Sequence, residues 1–473
     1  MICGKYGPLL RQSLPMDTQE AIVWGKYCLW GTTKHPPLSG WIAYSFWTLF
    51  QHWDGAMYLL SQIFVALGVW YIYKLAREFV DEVKAVLAAM LQFGVIYYNF
   101  STPEFNVNLI AVALWPMNAY YFWRAYCDDK WKDWLLFGAI TALNLLNKYT
   151  ASLLIFALGI FVITSSKRRK IFTNYKAYTA GLFCLLLLTP HIWWMYEHNF
   201  EPLNYIAFRN KDGKFTAWWR HLLYPAKFLL AQVLFAGAAL LTYCGFYRTT
   251  DKEKSVLNAE QKKYLLLLLA VPVVTMAITG VFSGKPLKSM WAFPMLFPLG
   301  TVLIAMCPQK TDAGKTQKMF NTMVLWSCLF ACGYGAQCLL TRSERFHSDC
   351  KQIVQTLESK WNNAAHGQPL EYIGSSEWYA HMVNLYGSHE IKPIVWVKPQ
   401  SSPWFDADDF QQKGALIVAN DLGEYHKYME MLGQQVSEPQ TLELEFKNYF
   451  GKTKNKEIFY GFYHLQGGKN AEE

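Results

Sequence analysis

Ten apolar runs separated by short polar loops set the first limit on what this chain can become. They lie near 56–75, 84–100, 106–124, 133–147, 150–165, 177–196, 224–246, 263–281, 288–306 and 319–341. A helix of roughly 20 apolar residues crosses a bilayer, and in lipid only helices or closed barrels satisfy their own backbone. The expected fold is therefore a polytopic α-helical membrane protein with about ten spans. The shorter runs would tilt or end in snorkelling side chains. One point stays open: Lys148 and Tyr149 are either a turn between two short helices or part of one long helix.

Of the 473 residues, 53% are hydrophobic and 17% charged, against ~25% charged in soluble domains. The mean hydropathy of +0.06 is low because an apolar first two thirds is averaged with a polar last third. The net charge of +9 does not mark a nucleic-acid binder, because the cations sit in short loops between apolar runs. One set of loops holds Lys74, Arg77 and Lys84; Arg124, Lys130 and Lys132; Lys167 to Lys170 with Lys176; Arg248, Lys252, Lys254, Lys262 and Lys263; and Lys310, Lys315 and Lys318. Basic loops stay in the cytoplasm. That leaves 17–55, 101–105, 197–223, 282–288 and everything after 341 outside. Both ends of a ten-span chain are then external. This implies a chain that begins late and lacks a first membrane helix, or one that keeps its stub at 4–16. The ten Cys form no CxxC pair, and Cys328, Cys332 and Cys338 share one apolar run, so no disulfide framework is expected.

Three regions follow. Residues 1–55 would be an external loop with two interfacial helices, one near 19–29 and one starting at the Pro36–Pro37 pair. In the second, Trp41, Tyr44, Phe46, Trp47 and Trp53 suit the membrane interface. Residues 56–341 would be the membrane body. Residues 342–473 would be an α/β domain, with strands at 370–374, 393–397, 414–420 and 441–446 and helices at 345–361, 376–386 and 422–432.

Polar residues at the external face are the candidates for chemistry. Asp17 and Glu20 are three apart. They read either as a helix capping box or as a carboxylate placed to take a hydroxyl proton. Lys34 and His35 precede the Pro pair and could neutralise a phosphate or snorkel. Glu104 lies in the turn STPEFN, where a carboxylate between apolar runs needs water or a partner. Lys148 follows NLLN and reads as anion binding or snorkelling. In TPHIWWMYEHNF, Pro190 would kink a helix. His191 and His198 lack a nearby Cys or acid to complete a metal set, so no metal site is expected, and any need for a divalent ion stays open. Lys285 and Lys288 flank the turn GKPLK and add two more external cations.

In order, DTQEAIVWG, KHPPLSGW, the Pro-Glu turn, LNKYTA and PHIWW with HNF resemble the GT-C glycosyltransferases of the protein O-mannosyltransferase superfamily (glycosyltransferase family 39-like). The bacterial aminoarabinose and galacturonic acid transferases that modify lipid A are the nearest in pattern. The resemblance spans about residues 15–300. It implies a polyprenyl-phosphate sugar as donor, lipid A or another envelope glycan as acceptor, and a multi-pass protein of the bacterial inner membrane with its C-terminal domain in the periplasm. By resemblance Asp17 is the base or acceptor-positioning residue, with Glu20 beside it. Many relatives have adjacent Asp and Glu, whereas Thr18 and Gln19 intervene here. Glu104 matches the acid of the second external loop, and Lys148 a lysine that meets the donor phosphate. Lys34 and His35 match a charged position before the Pro pair. His191, Lys285 and Lys288 are weaker matches. The rival readings are a transporter, which would show inverted repeats and mid-membrane charge pairs, and a non-catalytic envelope assembly protein.

Overall fold

The computed structural model describes residues 11, 13–209, 217–249, 253–308, 310–341, 343–398, 402–433, 435–447 and 450–464. The chain divides into two compact units. One holds 34–39 and 58–334. The other holds 13–33, 40–57 and 335–464 among its described residues. The opening segment expected as a region of its own thus contributes to both units. The stub helix expected over 4–16 lies almost wholly outside the described residues.

The first unit is helical. Its main helices are α3 (Gly55–Arg77), α4 (Glu82–Met90), α5 (Val107–Asp128), α6 (Trp131–Asn147), α7 (Ala151–Thr164), α8 (Tyr175–Glu197), α9 (Arg220–Phe235), α10 (Gly237–Thr249), α11 (Ala259–Ser283), α12 (Leu299–Met306) and α13 (Ala313–Leu340), where α1 and α2 denote Met16–Lys26 and Leu38–Leu49 of the opening segment. Among the described residues, α3, α8, α11 and α13 are each long and apolar enough to cross a membrane, and α9 with α10 forms a fifth such element bent by 54°. The remaining runs are shorter, interrupted or more polar helices.

Each interruption has a local cause. The run at 84–100 ends as helix at Met90 and continues as two 3-10 turns around an extended Val95. There Gly94 abuts the backbone of Ala238 and Ala239 so closely that a Cβ would lie 2.5 Å from the Ala239 nitrogen. The run at 288–306 is helical only from Leu299, because Pro294 and Pro298 withdraw backbone donors. The open point near residue 148 resolves as a turn: Lys148 is extended (φ −158°, ψ 132°) between α6 and α7. Pro190, by contrast, sits inside a helix that runs without interruption from Tyr175 to Glu197.

Side-chain contacts join the loops in the two sets that the charge pattern sorted. At one end Lys84 pairs with Asp81 at 3.3 Å and Glu253 at 2.6 Å, and Arg124 with Glu78 at 3.3 Å and Asp128 at 2.5 Å. Tyr126 meets Ser165 at 2.7 Å, and Asn174 donates to Asp129 at 2.6 Å. At the other end His221 meets the Val281 carbonyl at 2.6 Å, and Asn147 donates to the Val107 carbonyl at 2.8 Å. α11 starts on a reciprocal capping box of Asn258 and Gln261 and stops at Gly284 in the left-handed region (φ 61°), where glycine carries no Cβ penalty.

In the second unit, a five-stranded sheet has the order β2-β1-β3-β5-β4. β1 (Tyr372–Ser375) runs parallel to β2 (Lys392–Val395) and β3 (Ala415–Ala419); β5 (Thr453–Tyr463) is antiparallel to β3 and to β4 (Gln440–Lys447). α14 (Cys350–Ala364), α15 (Glu377–Tyr386), α16 (Ala407–Lys413) and α17 (Leu422–Met431) cover it. Ile353, Val354, Leu357 and Trp361 make one buried stripe of α14, the pattern of a helix lying on a sheet. α1 packs on α15. α1 and α2 meet at Gly25 and Gly40, where a Cβ on Gly25 would lie 2.0 Å from the Gly40 carbonyl oxygen.

Candidate active site

The acids of the opening segment sit in the first turns of α1. Pro15 is the N-cap and makes no side-chain cap. Asp17 is the second helical residue, which corrects the capping-box alternative. A carboxylate there still gains from the helix dipole. Thr18, Gln19 and Glu20 are buried, while Asp17 is half-buried. The first helix runs Met16–Lys26 rather than 19–29. The second starts at Leu38, directly after the Pro pair, as Pro at a helix start allows. Its aromatics are not all interfacial, since Trp47 is buried. Lys34 and His35, half-buried, fall in the other unit with Glu104, Lys148, His191, Lys285 and Lys288.

Within the helical unit three of the quoted motifs converge. Asn106 caps α5, its side chain accepting from the Asn108 amide at 2.9 Å. Lys148, 9% exposed, donates from Nζ to Asn108 Oδ1 at 2.6 Å. Beside it Asn147 donates to the Val107 carbonyl at 2.8 Å, and Asn144 to the Leu114 carbonyl at 3.0 Å. The NLLNK segment is thus fastened to the first turns of α5 by three polar side chains. Such bonding is what a buried cation and amides require in an apolar body. The next residue, Tyr149, meets His191 Nε2 at 3.1 Å and the Met195 sulfur at 3.5 Å. LNKYTA therefore joins STPEFNVN on one side and PHIWW on the other.

Glu104 is half-buried in the turn that leads into α5. That turn is held to α3 by Gln62, which donates to the Thr102 carbonyl and hydroxyl, each at 3.3 Å. His191 and His198 each stack on Trp194, with ring centroids at 6.3 and 4.2 Å, and His198 Nδ1 contacts the Trp194 carbonyl at 2.8 Å. Among the described residues no group of three His, Cys, Asp or Glu could hold a metal ion. After α11, the Lys285 ammonium is buried without a hydrogen-bond partner among the described residues, whereas Lys288 is exposed. An unmatched buried ammonium is costly and suits an anion.

Sequence reasoning missed Asn108, Tyr149 and Gln62. The Asn-Val-Asn spacing was a usable signal for Asn108, because a second Asn two residues after a cap is free to face the bundle.

Residues 34–194 match the family model described as dolichyl-phosphate-mannose-protein mannosyltransferase. Over 305 residues, 63% of this chain, the sequence is 20% identical to the lipopolysaccharide core galacturonosyltransferase RgtA of Rhizobium johnstonii. That match spans 60% of the relative's length. The crystal structure of ArnT from Cupriavidus metallidurans bound to undecaprenyl phosphate is similar over 96% of this chain and 94% of that one, with a TM-score of 0.60 at 11% identity. Its apo form gives 0.58 at 10% identity, with the same coverage. Residues 34–194 are thus similar to the mannosyltransferase family, and the chain shares the fold of ArnT over nearly its whole length.

Proposed function

We propose that this chain is a bacterial inner-membrane glycosyltransferase that moves a sugar from a polyprenyl-phosphate donor to lipid A, lipopolysaccharide or another envelope acceptor on the periplasmic side. The observation that carries the proposal is Lys148. It is a buried cation at a break between two apolar helices, steered by Asn108 and flanked by the Tyr149–His191 pair. A buried lysine costs stability unless it has work to do, and a phosphate leaving group supplies that work.

In this reading the anomeric carbon is presented at the outer interface. Lys148 and Lys285 neutralise the phosphate as it leaves, with Lys34, His35 and Lys288 adding positive potential. Asp17 is read as the base for the acceptor's proton with Glu20 beside it, and Glu104 as the catalytic acid of its own turn. Stabilising the charge that develops on the leaving group is what such a site does most to speed the reaction. About ten spans, the shorter ones tilted, would leave the C-terminal α/β domain, 342–473, in the periplasm. The lipid-linked donor, the glycan acceptor and the surrounding membrane lipids are the partners. Two similar proteins support the donor and acceptor classes: ArnT binds undecaprenyl phosphate, and RgtA is a galacturonosyltransferase of the lipopolysaccharide core.

The test is mass spectrometry of lipid A and other envelope glycans from cells with and without the gene. The proposal expects a species heavier by one glycosyl residue only when the gene is present. Identical glycan profiles in both cells would refute it.

A further inference from the structure

We propose that a cavity of the second unit, where the loop after α2 meets α14 and α15, binds a pyranose ring of a glycan. The cavity measures about 360 Å³ and is lined by Trp47, His52, Trp53, Asp54, Lys351 and Tyr386. That volume lies within the roughly 300–1,000 Å³ range of small-molecule sites. None of these residues belongs to the proposed transfer chemistry.

The loop QHWDG builds the cavity with an unusual backbone. Gln51 and His52 are both left-handed, at φ 52° and 63°, a conformation that non-glycine residues hold only when their surroundings enforce it. The His52 amide donates to the Trp47 carbonyl at 2.9 Å, and its imidazole lies on the Trp47 indole with centroids at 4.4 Å. Trp53 follows. It is 58% exposed yet fixed, because its ring lies over Gly55: a Cβ on Gly55 would come within 2.1 Å of it. An exposed indole held flat by a glycine is a prepared stacking surface.

The polar groups then select the ligand. Tyr386 donates to Asp54 Oδ2 at 2.8 Å. Asp54 Oδ1 is buried without a hydrogen bond among the described residues, and so is Trp47 Nε1. The Trp47 indole lies beside the same carboxyl group and favours its charge. One cavity thus brings together a carboxyl group, an indole N–H and aromatic faces. Neighbouring sugar hydroxyls both donate and accept, and the C–H face of the ring packs on an indole, so a pyranose meets all three. Burial pushes the Asp54 carboxyl above its usual range despite Tyr386, Trp47 and Lys351, which favours a neutral polyol over a second anion.

The cavity is tested for binding alone, without donor. Full-length protein in lipid nanodiscs is titrated with methyl β-glucopyranoside, methyl β-galactopyranoside and methyl β-glucosaminide, followed by saturation-transfer-difference NMR. At least one probe is expected to give a saturable signal in the millimolar range. Trp53→Ala and Asp54→Asn should each weaken it about fivefold or more, with Trp218→Ala, an exposed tryptophan of the other unit, unchanged. Should Asp54→Asn fail to fold, the exposed Trp53 still carries the test. No saturable signal up to about 100 mM with any probe, or wild-type affinity in Trp53→Ala, would overturn the proposal. Loss of transfer with binding intact would instead count against the reading of the Lys148 site.

Discussion

The two units solve burial in opposite ways. In the α/β unit the apolar stripe of α14 is inside and Lys351, Gln352 and Gln355 face out. In the helical unit Leu182, Leu185, Leu186 and Trp193 of α8 and Leu230, Val233 and Leu234 of α9 face out. Its interior holds Gln62, Gln92, Asn99, Asn108, Asn118, Asn144, Asn147, Lys148, His191 and Gln232. An apolar exterior is stable when the solvent is lipid, and polar groups then gather inside, paired with carbonyls or with each other. Gln92 donates to the Phe297 carbonyl at 2.9 Å and Asn118 to Thr141 at 2.7 Å. The helical unit therefore keeps many polar side chains inside, whereas the α/β unit buries an apolar stripe against its sheet.

Substitutions can undo this contrast. The largest effect is expected at Asp17. Asp17→Asn should lower transfer by about 10²–10⁴-fold, the usual weight of a general base, while the protein still inserts. Acceptor mass in isolated membranes measures it, and wild-type activity would remove Asp17 from the role. Next comes Lys148→Met, which removes the buried ammonium and strands Asn108. A charged hydrogen bond is worth about 1.5–3 kcal/mol, so donor kcat/KM should fall roughly 10- to 150-fold with acceptor KM unchanged. Equal losses for both substrates would mean that Lys148 only holds α5 to α6.

Packing separates the units further. Gly25→Ala in the α/β unit and Gly300→Ala in the helical unit both drive a Cβ to 2.0 Å from a carbonyl oxygen, of Gly40 and of Ala88. Each should cost about 1–3 kcal/mol. Gly159→Ala and Gly181→Ala, with open space around them, should stabilise α7 and α8 by about 0.5–1 kcal/mol. Thermal inactivation of the purified variants ranks the four, and a destabilised Gly159→Ala would show that α7 packs on something beyond this chain.

The smallest effect is acid sensitivity of the α/β unit. The Tyr372 hydroxyl first, and the Lys413 ammonium next, hold the Asp409 carboxyl down to about 2 from its ordinary 3.8. A depressed carboxylate stabilises the fold above the ordinary value, and that stabilisation is lost as pH falls from about 3.8 toward 2. The side chain keeps a quarter of its surface exposed, and solvent screens its partners, so the loss is small. Melting curves of wild type and Asp409→Asn should converge across this window, and parallel curves would discount the pair.

Much of this was legible in the chain. The strand-like segments LEYIG, PIVWV, GALIVAN and TLELEF led to β1, β2, β3 and β4, and the Pro pair to the start of α2. β5 escaped because Lys454, Lys456 and Glu457 break its apolar run, while its pairing with β3 and β4 is long-range. α16 escaped for a similar reason, being seven residues long with one buried side chain, Phe410. The breaks at Val95 and Ala236 carry no proline and arise from packing. The Lys148–Asn108 bond spans 40 residues, so Lys148 was visible as a cation while its acceptor was not. That α1 packs with the tail is likewise a contact across more than 350 residues.

Every role proposed for the external side chains rests on sugar transfer from a lipid phosphate. Mass spectrometry of a reconstituted reaction holding the purified chain, a polyprenyl-phosphate sugar and lipid A in proteoliposomes reads that transfer directly. Free polyprenyl phosphate and an acceptor heavier by one glycosyl residue are expected, both absent with Asp17→Asn. Unchanged donor and acceptor, with a solute crossing the same bilayers, would contradict transfer and make the chain a transporter.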